Sequence, residues 1–87
     1  MPSLAMPHNN RTSDVLKEVA SERGRQLQLW GTQTHEPDRW LSILMEEIGE
    51  AAQAYNDGHL AHYREELVQV TAVACAMIES YDKRKAT

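Results

Sequence analysis

Almost every position from Leu67 to Ile78 is apolar, and the spacing is helical rather than alternating. Tyr63, Leu67, Val70, Ala74, Met77 and Tyr81 step alternately by four and three residues, the seam pattern of packed helices. Val68, Ala72, Cys75 and Ile78 fall on the opposite side. A helix that is hydrophobic all round must be buried all round. A chain of 87 residues makes one domain and buries only a modest core by itself. The spacing therefore predicts an all-α protein of antiparallel helices, completed as a helical-bundle oligomer, homodimer or homotetramer. Ala72, Ala74 and Ala76 would let helices approach closely. The run is far shorter than the ~20 residues needed to cross a bilayer, so no membrane partner is expected.

Two further helices can be placed around it. Residues 1–11, with Pro2, Pro7, Asn9 and Asn10, read as a flexible N-terminal tail, leaving 12–87 as the single helical domain. Thr12 or Ser13 is suited to cap the first helix, whose apolar positions are Leu16, Val19, Ala20, Leu27 and Trp30. Gly31 is its stop. After a connector over 31–36, Pro37 and Asp38 form the first turn of a second helix that should reach about Asn56. There Trp40, Leu44, Ile48, Ala51 and Tyr55 make one continuous stripe. Gly58 serves as its left-handed cap, and the third helix should run from near Leu60 to about Lys83. No strand pattern or repeat is present.

Carboxylates interrupt this apolar pattern. Glu46, Glu47 and Glu50 share the second helix with Ile43, Leu44, Ile48, Ala51 and Ala52, and Glu66 opens the apolar run of the third. Like charges three or four apart on an exposed helix cost roughly 0.2–0.5 kcal/mol per pair, and desolvation beside apolar residues costs more. A solvated acidic face normally alternates with basic residues at i+4; none lies between Arg39 and Arg64. Such a cluster calls for a counter-charge. Mg²⁺ is the economical one, because it takes oxygen ligands and is commonly held by carboxylates together with substrate phosphates. Glu65, turned about 100° from Glu66, is a surface charge.

Read together, the acidic positions give Glu46-Glu47-x-x-Glu50, a turn-around over residues 51–65, then Glu66-Leu-Val-Gln69. The lead-in is Arg25-Gln26, Trp30-Gly31, Gln33-Thr34-His35 and Trp40-Leu41. Over about residues 22–79 the chain resembles the MazG-like, all-α nucleoside triphosphate pyrophosphohydrolases, including their small dimeric members acting on deoxynucleotides. That resemblance implies Mg²⁺-dependent hydrolysis of a nucleoside triphosphate to monophosphate and pyrophosphate, in a house-cleaning role. It implies Glu47, Glu50 and Glu66 as metal ligands and Glu46 as a further ligand or the group that orients the attacking water. Glu46 and Glu47 are the catalytic candidates, and Trp30, Gln33, His35 and Arg39 the substrate-binding ones. Gln69 stands where the family usually has aspartate. Its amide oxygen can still coordinate a cation but brings no charge, which implies weaker metal binding.

Other features narrow the function classes. The formal net charge is −4 and the basic residues form no long stripe, which argues against a nucleic-acid groove. The single cysteine, Cys75, excludes an internal disulfide and fits a reducing, cytoplasmic setting. His59 and His62 could join Glu66 in a transition-metal site, but with no third soft ligand nearby they read as exposed histidines at a helix start. Arg23, Arg25 and Arg39 either neutralise phosphate or decorate helices. The rival reading is a non-catalytic helical module that binds nucleotide or a protein partner, with Gln69 marking a decayed metal site.

Overall fold

The computed structural model describes residues 5–86. It is all-α: α1 spans Ala5–Trp30, α2 Pro37–Asn56 and α3 Leu60–Ala86. Among the described residues there is no strand, and no helix is long and apolar enough to cross a membrane.

Helix α2 has the bounds its punctuation predicts. Pro37 opens it, where a missing N–H costs nothing. Its end is a Schellman motif around Gly58, whose φ is 79°. The His59 N–H donates to the Ala54 carbonyl at 3.0 Å and the Gly58 N–H to that of Tyr55 at 3.0 Å. This turn reverses the chain so that α3 runs back along α2. Helix α1 stops on Gly31, at φ 71°, whose N–H donates to the Leu27 carbonyl at 2.8 Å.

The start of α1 differs from the sequence expectation. The helix begins at Ala5, not at Thr12 or Ser13, so neither of these residues is a cap. Pro7 falls in the first turn, where the first four N–H groups have no intrahelical partner anyway. Of the expected tail, residues 1–4 lie outside the described residues.

Helix α3 is central: α1 and α2 each pack on it and not on one another. Its buried line is also not the expected one. Glu66, Ala72, Val73, Ala76 and Ser80 are buried, whereas Leu67, Ile78 and Tyr81 are 41%, 62% and 61% exposed. The packed face is thus rotated by roughly one residue from the Tyr63–Leu67–Val70–Ala74–Met77–Tyr81 seam. When apolar residues surround a helix, period alone does not choose the face; the small side chains of Ala72, Ala76 and Ser80 admit two flanking helices. The core is thin. Trp40, Val73 and Ala76 form its centre, with Ile43, Leu44 and Met77 against them. Ion pairs tie the ends of the layers: Arg23 to Glu79 at 2.8 Å, Arg64 to Glu18 at 2.6 Å and Arg84 to Glu36 at 3.0 Å.

The shape is a plate of 41 × 39 × 22 Å with a radius of gyration of 15.2 Å. A compact domain of this length would have a radius of about 12 Å. The difference reflects an open arrangement that leaves Leu41, Met45 and Ile48 of α2 exposed beside the apolar outer face of α3.

Candidate metal centre and adjoining cavity

The antiparallel α2–α3 pair brings three carboxylates together. Glu47 and Glu50 lie one turn apart on α2, and Glu66 reaches them from α3. One oxygen from each lies within 4.8 Å of the other two. Glu66 is only 5% exposed, and its Oε1 is buried without a hydrogen-bond partner. Burial pushes its pKa above the usual carboxylate value, and the Glu50 charge pushes it further, against a smaller opposing pull from His62. Burial likewise raises Glu47, followed by the charges of Glu50, Glu66, Glu46 and Glu22. Among the described residues no lysine or arginine pairs with Glu46, Glu47 or Glu50. A buried acceptor with no donor is a costly arrangement. Here the buried Glu66 oxygen lies close to two further carboxylates, half-buried Glu47 and exposed Glu50.

Next to Glu47 is a cavity of about 150 Å³ between α1, α2 and α3. Trp30, Trp40, Ile43 and Val73 supply its apolar wall, and Glu22, Arg25, Gln26, Gln33 and Gln69 its polar one. Glu22 accepts two hydrogen bonds from Arg25, at 2.8 and 2.7 Å, and one from Gln26 Nε2 at 3.3 Å. The Arg25 bonds hold Glu22 below the usual carboxylate range. Trp40 lines the cavity but is itself buried, and its Nε1 is a buried donor with no partner.

The sequence candidates thus divide. Glu47, Glu50 and Glu66 converge. Gln69 lines the same cavity as Glu47, one turn beyond Glu66 on α3. Glu46 is exposed, lies outside the three-carboxylate group and acts on Glu47 only through its charge. Trp30, 55% exposed, and Gln33 stand in the cavity wall. His35 does not. It packs edge-on against Trp40, with ring centroids 4.8 Å apart, and lines a separate apolar groove with Pro37, Leu41 and Tyr81. Arg39 is exposed at the start of α2 and is absent from the cavity wall.

Glu22 and Gln26 were not among the sequence candidates for the site. Their signal was present: Val19, Glu22, Gln26 and Trp30 step by three, four and four, so two polar residues continue the buried stripe of α1. Polar residues in a buried stripe need partners: Glu22 accepts from both Gln26 and Arg25. No family model, curated protein or solved structure matches this chain.

Proposed function

We propose that this protein is a Mg²⁺-dependent nucleoside triphosphate pyrophosphohydrolase, releasing a nucleoside monophosphate and pyrophosphate. The observation that carries this reading is the convergence of Glu47, Glu50 and Glu66 oxygens within 4.8 Å, beside a cavity walled by tryptophan, arginine and amide groups. The donor set fits a hard divalent cation: three carboxylates, one of which, Glu66, keeps a buried oxygen with no hydrogen-bond partner. At the ~2.1 Å bond length of Mg²⁺, adjacent ligand oxygens lie about 3.0 Å apart and opposite ones about 4.2 Å, so the three side chains would draw together around the ion.

Glu47, Glu50 and Glu66 would hold the cation, with the Gln69 amide oxygen as a neutral neighbour. Bound Mg²⁺ supplies polarisation of a phosphoryl oxygen and a more acidic water. The rest is positioning, which dominates phosphoryl transfer. Glu46 is exposed next to Glu47 and would accept a proton from an attacking water. Arg25, held by Glu22, lines the cavity, while the half-exposed Trp30 offers flat apolar surface to a nucleoside.

The reading includes a homo-oligomer. Leu41, Met45 and Ile48 of α2 and Leu67, Ile78 and Tyr81 of α3 are all exposed in the single chain. Fully burying one such side chain is worth roughly 1.5–3 kcal/mol, so a second copy covering this face would gain substantially.

The test is ³¹P NMR of the products from a panel of nucleoside triphosphates, with and without Mg²⁺. Monophosphate plus pyrophosphate, lost on removing Mg²⁺ and in Glu50→Gln, is the expected result. Tight nucleotide binding with no turnover of any triphosphate would instead favour the non-catalytic module.

A further inference from the structure

Outside the three carboxylates, the most organised group is a histidine bracketed by acids. His62 lies one turn before Glu66 on α3, with its Nε2 3.4 Å from Glu66 Oε2. Its Nδ1 lies 3.3 Å from Glu65 Oε1. Acidic side chains at i+3 and i+4 thus flank the ring on both edges. Burial does not hold it there, since the His62 side chain is 55% exposed while that of Glu66 is 7% exposed. The two Glu66 oxygens are consequently unequal. Oε2 faces an imidazole nitrogen, and Oε1 is buried without a partner.

We propose that His62 is a positioning residue that commits Glu66 Oε2, so that Glu66 offers one oxygen to a cation and the site favours Mg²⁺ over Ca²⁺. This rests on the cation-binding reading of Glu47, Glu50 and Glu66. At 3.4 Å the contact is long for a hydrogen bond, and because an ionised carboxylate only accepts, it holds Oε2 when Nε2 carries the ring proton. Metal-bound carboxylates are commonly oriented by such outer partners, whose loss costs about 10–100-fold in metal affinity. The choice of cation follows from geometry. Ca²⁺ takes six to eight oxygens at ~2.3–2.6 Å and readily uses both oxygens of a carboxylate, whereas Mg²⁺ requires a near-octahedral shell at ~2.0–2.1 Å. With Oε2 turned toward His62, Glu66 is poorly placed to serve as a two-oxygen ligand.

Calorimetric titration of the nucleotide-free protein with Mg²⁺ and with Ca²⁺ tests this in wild type, His62→Ala and His62→Gln. In His62→Ala, Mg²⁺ affinity should fall about 10-fold, the low end expected for an exposed partner, while Ca²⁺ affinity holds or rises. His62→Gln, whose amide N–H can still reach Glu66, should restore most of the Mg²⁺ preference. Metal-free melting curves of both variants check that the fold persists. An unchanged Mg²⁺-to-Ca²⁺ ratio in His62→Ala overturns the proposal while leaving the cation site standing. So does a directly bound imidazole nitrogen in the electron spin echo spectrum of the Mn²⁺-loaded wild type. Wild type that binds no divalent cation overturns both the proposal and the functional reading beneath it.

Discussion

The carboxyl group of Glu66 on α3 faces that of Glu50 on α2, and after burial the charge of Glu50 is the largest influence raising the Glu66 pKa. Two unit charges about 4 Å apart repel by roughly 4 kcal/mol at an effective dielectric of ~20. Replacing one by a neutral isostere should therefore stabilise the metal-free protein. In Glu50→Gln the metal-free melting temperature should rise, and the further rise caused by millimolar Mg²⁺ in wild type should largely disappear. A variant that melts lower than wild type without metal would show that Glu50 contributes to the fold rather than opposing it.

Acidity should act on the same site with a defined sign. Glu47 and Glu66 have folded-state pKa values raised above the ordinary 4.5, so their ionised forms destabilise the metal-free fold above those values. This penalty fades as pH falls toward 4.5. Glu22 works in the opposite direction: its lowered pKa stabilises the fold above 4.5, and that contribution is lost as pH falls through its folded-state value. Cations need the ionised carboxylates. The increase in melting temperature produced by Mg²⁺ should shrink as pH falls through the raised values of Glu47 and Glu66 toward 4.5. A constant increment over that range would place the cation elsewhere.

The exposed apolar face of α2 and α3 should be covered in solution. Light scattering at micromolar concentration should show a dimer or tetramer and no monomer. A charge on the outer face, in Ile48→Glu, should lower the assembly state or the solubility, because Ile48 is already 49% exposed in the single chain. A well-behaved wild-type monomer would remove the case for a homo-oligomer.

Trp40 is the one large side chain among the buried hydrophobic residues described. Trp40→Ala should cost about 3–5 kcal/mol, a large share of the stability of so small a domain. Chemical denaturation read by far-ultraviolet circular dichroism measures this. Trp40→Phe keeps most of the apolar volume and removes the unpartnered Nε1, so its loss should be much smaller. Equal losses would mean that the indole nitrogen has a structural partner.

Helix α2 was legible residue by residue because Pro37 and Gly58 punctuate it, and both act through the backbone. The pairing of Glu47 and Glu50 with Glu66 followed from the short turn between two antiparallel helices. The inward face of α3 was not legible, because Leu67, Val73 and Ile78 are equally apolar and only packing partners distinguish them. Nor was the start of α1, since Pro7 suits a first turn as well as a loop. His35 and Arg39 sit on or next to the connector, whose path decides which cavity they meet, and sequence spacing does not encode that path. Glu22 and Gln26 were overlooked because polar residues are ordinarily read as surface. Their place in the stripe from Val19 to Trp30 shows that helical phase is the better guide.

The most direct measurement is a Mn²⁺ titration of the nucleotide-free protein followed by electron paramagnetic resonance, comparing wild type with Glu66→Gln. The free-ion signal should be suppressed saturably in wild type, Mg²⁺ should restore it by competition, and Glu66→Gln should suppress it little. Suppression equal in the two proteins, or none in wild type, would contradict a cation site built from Glu47, Glu50 and Glu66.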